Sequence, residues 1–86
     1  MNKDKEIKSL SKLVDLFAQA MKEKLIEKVE EDYYGWEDEN DVPEWYLKEG
    51  LLEHVKKGPI GQEVDIANLA MFLWNRKNEQ QGRSGR

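Results

Sequence analysis

The sequence predicts an all-α protein, a three-helix bundle, and three observations predict it. Apolar residues in the first third fall at Ile7, Leu10, Val14, Phe17, Met21, Leu25 and Val29, steps of three and four that trace one face of a helix. Two further apolar segments follow, set apart by the turn-rich stretches "DYYGWEDENDVP" and "GPIG". No stretch shows the alternation of a half-buried strand. The expected helices span about 3–31, 42–57 and 62–78, in one domain covering 1–78, with a disordered basic tail at 79–86.

The first helix has a plausible start. Asn2 suits an N-cap, and Asp4 and Glu6 lie near the positive end of the helix dipole. Leu13 and Ile26 widen its stripe enough to face a core. Its length, roughly 40 Å at 1.5 Å per residue, is great for so small a domain and predicts packing against another chain. Gly35, Asn40 and Pro43 then break the pattern. Asp41 and Glu44 have capping-box spacing, which predicts Asp41 as the cap of the second helix. Gly58 suits a left-handed C-terminal cap, and Pro59 stops continuation.

The third helix is apolar over most of its circumference. Ile66, Leu69, Ala70 and Leu73 form one stripe, and Val64, Ala67, Met71 and Trp74 a neighbouring one. Two other helices in one short chain would struggle to cover it, which predicts a homo-oligomer.

Composition narrows the function classes. The chain has 86 residues, 38% hydrophobic and 37% charged, and a domain of this size buries only about 60% of its unfolded surface. Cysteine is absent, which removes disulfides, thiolate metal sites and a cysteine nucleophile. A partner subunit or a carboxylate-bound metal is left to add stability. The charged N-terminal segment has no signal-peptide core, and no run has the roughly 18 apolar residues of a membrane span, so a cytoplasmic location is expected. The formal net charge of −4 argues against nucleic acid as a partner. The third helix, apolar and acidic, is no recognition helix. "GPIG" lacks the lysine and hydroxyl of a P-loop.

Within the apolar third helix, Gln62, Asp65 and Asn68 stand at i, i+3 and i+6, close to one line. A buried carboxylate costs several kcal/mol unless paired, protonated or metal-bound. Glu49 and Glu53, at i and i+4 on the second helix, share a side. Antiparallel packing of the two helices would let these acids converge, and convergent oxygens suit Mg²⁺. Each residue also has a plainer account. Glu49 and Glu53 would be ordinary on a solvated face, and Asp65 could pair across a subunit interface. His54, the sole histidine, is more often structural than catalytic at such a position. Trp36, Trp45, Tyr33, Tyr34 and Tyr46 could stack on a base, though a satellite core closing the loop over the bundle is favoured.

The order "MKEKLIEKVEEDYYGWED", "EGLLEH", "QEVDIANLAMFLW" resembles the MazG-like superfamily of all-α nucleoside triphosphate pyrophosphohydrolases, in the short form of phages and prophages. Members carry a charged helix leading into a Gly-Trp loop, a Glu-Glu-x-x-Glu helix, then a Glu-x-x-Asp helix continued as Asp-Val-Ala-Asn, similar to Asp65-Ile66-Ala67-Asn68. The resemblance implies Mg²⁺ held by Glu49, Glu53 and Asp65, with Glu63 in support. It also implies Asn68 and Gln62 orienting ligand or water, while a nucleoside triphosphate is cleaved to release pyrophosphate. Two expected acids are missing: Gly50 replaces the middle glutamate, and Gln62 stands where glutamate is expected. Glu63 is one residue late, about 100° around the helix. Two function classes follow. One is a Mg-dependent pyrophosphohydrolase, active or degenerate; the other is a non-catalytic helical oligomer that binds or inhibits a host protein through its acidic, aromatic surface.

Overall fold

The computed structural model describes residues 2–33, 35–58 and 60–80, with side chains through Asn78. Three helices carry the chain: α1 (Lys3–Glu30), α2 (Glu44–Lys56) and α3 (Glu63–Gln80). The all-α expectation holds. No helix among the described residues is long and apolar enough to cross a membrane.

Local chemistry sets the helix ends. Asn2 caps α1 as expected, its side-chain oxygen accepting from the Lys5 amide at 3.1 Å. Gly58 adopts φ +97° after α2, the left-handed conformation that a C-terminal cap requires. The expected Asp41 cap does not form. Pro43 occupies the N-cap of α2 with no side-chain cap bond, two positions beyond Asp41. Asp41 instead packs on Gly35, whose φ of +88° brings its backbone against the Asp41 side chain. Helix α3 outlasts its expected end by two residues, since nothing breaks it before Gln80. The remainder of the expected tail, 81–86, lies outside the described residues.

Helix α3 is the shared support. Both α1 and α2 pack on it, while the backbones of α1 and α2 do not come together. Gly50 faces Leu69 and His54 meets Gln62, so α2 and α3 run antiparallel. Asn68 meets Met21, and Leu25 and Val29 share a hollow with Met71 and Asn75, so α1 and α3 run in the same direction. The core is small. Leu47 is the one fully buried large side chain among the described residues, and Leu69, at 8% exposure, is the other buried hydrophobic residue among them. Helix α1 contributes no buried residue. As expected, α1 and α2 do not cover all of α3: Trp74 and Ala70 are exposed, and burial concentrates on Asn68, Leu69 and Arg76.

Candidate functional site

The loop between α1 and α2 is fastened to α3 at Trp36. Its indole stacks on Phe72 with centroids 5.6 Å apart and planes within 4°. Its Nε1 donates to the Tyr33 carbonyl at 3.2 Å, and its own carbonyl accepts from Arg76 at 2.7 Å. Asp38 holds the loop's tip, accepting from the Asn40 amide at 2.8 Å. The aromatic closure expected of this segment is therefore the work of Trp36. Tyr33, Trp45 and Tyr46 remain exposed, the last two meeting edge to face, and Tyr34 lies outside the described residues.

Behind Trp36 lies a cavity of about 290 Å³ lined by Lys24 and Lys28 of α1, Tyr33 and Trp36 of the loop, Tyr46 and His54 of α2, and Asp65, Asn68 and Phe72 of α3. All three helices contribute, so the cavity exists only in the assembled fold. Asp65 is half-buried in its wall. Asn68 is 5% exposed; its Nδ2 donates to the Met21 carbonyl at 3.4 Å, while its Oδ1 is buried with no partner. An unmade bond of that kind costs roughly 1–3 kcal/mol. Lys28 is held over the Tyr33 ring, its Nζ 5.3 Å from the centroid.

Glu49 and Glu53 are exposed and line a neighbouring hollow of about 360 Å³, which shares Trp36, Tyr46, His54 and Leu69 with the first. Gln62 is half-buried, and its Oε1 pairs with Nδ1 of His54. Glu63 is engaged locally, accepting from the Gly61 amide at 2.9 Å. The antiparallel packing thus puts Glu49 and Glu53 on one side of the His54–Leu69 wall and Asp65 and Asn68 on the other. Among the described residues, no three acids or histidines gather as a set able to hold a metal ion. The side chains as placed do not fit a resident Mg²⁺, and no chemical step follows through one.

A larger hollow, about 710 Å³, is lined by Leu25, Val29, Met71 and Trp74 together with Glu37, Asp38 and Asp41 of the loop. Three carboxylates in its lining repel phosphate, whereas the smaller cavity presents two ammonium groups against the single carboxylate of Asp65. Charge favours the smaller one for an anionic ligand.

Lys24 and Lys28 of this smaller cavity were not singled out from the sequence. A signal was present. The three-four spacing through Leu10, Val14, Phe17 and Met21 continues at positions 24 and 28, where lysine replaces an apolar residue. Compared with known proteins, the chain matches no family model, no curated protein and no solved structure.

Proposed function

We propose that this chain is a MazG-like nucleotide-binding protein that works as a homo-oligomer, its ligand seated in the cavity behind Trp36. The observation that carries the reading is the cavity's lining. Two ammonium groups on α1 suit phosphate, aromatic faces at Tyr33, Trp36 and Tyr46 suit a base, and Asp65 and Asn68 of α3 complete the lining. The order of motifs along the chain supports the same class. The volume is near the lower end of ligand sites, roughly 300–1,000 Å³, and the adjoining hollow extends it.

Catalysis is the part of the family's role that this geometry supports least, because Glu49 and Glu53 stand apart from Asp65. A degenerate relative that keeps the ligand site and has lost hydrolysis fits that separation. The second reading, capture of a host protein, draws on the acidic lining formed by Glu37, Asp38 and Asp41.

The test is thermal unfolding of the full chain with a panel of ribo- and deoxynucleoside triphosphates in Mg²⁺, run beside an assay for pyrophosphate release. The reading requires a stabilising shift that Asp65→Ala diminishes. Release of pyrophosphate lost in Asp65→Ala would add hydrolysis to binding. A folded wild type that no nucleotide stabilises sinks the proposal and turns attention to charge reversal at those three carboxylates.

A further inference from the structure

The side chains that line the cavity behind Trp36 have already spent most of their donors inside the protein. Asn68 gives its Nδ2 to the Met21 carbonyl, and its Oδ1 is left buried with no partner. His54 pairs through Nδ1 with the side-chain oxygen of Gln62. An amide oxygen only accepts, so Nδ1 carries the proton, and the neutral ring keeps a lone pair at Nε2. Trp36 donates its indole N–H to the Tyr33 carbonyl. Asp65 is half-buried in the same lining, and its carboxylate makes no hydrogen bond or ion pair with any described residue. Glu49 and Glu53 line the neighbouring hollow, so no second acid joins Asp65 here. Lys24 and Lys28 apart, and with the Tyr33 and Tyr46 hydroxyls able to act either way, these side chains offer a ligand acceptors only.

We infer that the base this cavity takes is guanine, read by the carboxylate of Asp65. The inference rests on the nucleotide reading above, which gives Lys24 and Lys28 to phosphate, and narrows it to one base. Of the five common bases, guanine alone sets two donors side by side, the ring N1–H and the 2-amino group. A carboxylate accepts such a pair with one oxygen for each donor, and hydrogen bonds to a charged acceptor are the strong kind. The second amino hydrogen is left for Nε2 of His54 or Oδ1 of Asn68, the two neutral acceptors of the same lining.

The other bases fail against the same set of atoms. Adenine and cytosine each bring one amino group beside an unprotonated ring nitrogen. Uracil and thymine place one N–H between two carbonyls. Each of these would set a lone pair of its own against the Asp65 carboxylate, and an acceptor desolvated without a donor costs free energy.

The test is titration calorimetry of the full chain with the triphosphates of guanosine, inosine, adenosine, cytidine and uridine, in Mg²⁺. The guanosine nucleotide is expected to bind tightest. Inosine triphosphate lacks only the 2-amino group and should bind about tenfold or more weakly, the loss of one hydrogen bond to a charged acceptor. Asp65→Asn should move the preference to xanthosine triphosphate. Its amide pairs one acceptor with one donor, which matches N1–H and the 2-carbonyl of xanthine. Equal affinity for the guanosine nucleotide and either the inosine or the adenosine one overturns the base assignment and leaves the nucleotide reading standing. So does tighter binding of an adenine or pyrimidine nucleotide. An Asp65→Asn chain that keeps the guanine preference overturns Asp65 as the reader. A folded wild type that binds none of the five removes both readings. Should Asp65→Asn lose its helical dichroism, the comparison of guanosine with inosine triphosphate on the wild type decides alone.

Discussion

Arg76 reaches back 40 positions along the chain to donate to the carbonyl of Trp36 at 2.7 Å. The arginine is 4% exposed, and its Nε and Nη1 are buried without partners. This is a buried cation used as a clasp for the loop. Arg76→Ala removes the clasp, orphans the carbonyl and leaves space where the side chain packed. Urea unfolding should report a loss of about 2 kcal/mol. Unchanged stability would show that the Trp36–Phe72 stack holds the loop alone.

Gly50 sits inside α2, where a glycine weakens a helix by about 1 kcal/mol relative to alanine. A Cβ there would stand 3.5 Å from Leu69 Cδ1, an ordinary contact. Gly50→Ala should therefore stabilise the chain by about 1 kcal/mol, raising the melting temperature by roughly 4–8 °C. A lower melting temperature would mean that α2 and α3 pack too tightly at this crossing to accept the methyl group.

Asn68 presents the opposite case, a residue whose burial costs the fold. Leucine in its place removes the unpartnered oxygen, and Asn68→Leu should be neutral or stabilising by about 1 kcal/mol. Nucleotide-induced stabilisation should vanish at the same time. A destabilised variant would show that the bond to the Met21 carbonyl contributes more than the orphan oxygen costs. Chemical denaturation with and without nucleotide separates the two outcomes.

The lysines supply a test of ligand orientation. With Lys24→Gln and Lys28→Gln together, affinity for a nucleoside triphosphate should fall about tenfold or more, at two charge-assisted contacts of roughly 1 kcal/mol each. Affinity for the corresponding nucleoside should not change. Titration calorimetry with both ligands checks this, and an equal loss for the two would place the phosphates elsewhere.

Helix number, the Asn2 cap and the Gly58 cap could all be read from the chain, because each depends on residues within a few positions of one another. Asp41 shows the limit of such local reading. Its capping-box spacing is right, but the turn at Gly35 claims its side chain and the helix starts beyond it at Glu44. Asp65 and Asn68 stood out because polarity in an apolar helix is conspicuous. Lys24 and Lys28 did not, because lysine on a heavily charged helix is not. What placed them in a wall is the register of α1 on α3, set by side chains more than forty positions apart. Convergence of Glu49 and Glu53 with Asp65 also depended on crossing geometry, and the crossing at Gly50 and Leu69 leaves them in separate hollows.

Because the backbones of α1 and α2 each approach α3 and not one another, the order of synthesis bears on how the chain matures. The first two helices leave the ribosome before the element that joins them exists. Until α3 follows, neither has the helix it packs on, and isolated helices of α2's 13 residues are marginal in water. Folding of these three helices should therefore wait on α3 rather than build stepwise from α1. A nascent chain stalled before Leu69 exposes its apolar stripes to chaperones and proteases.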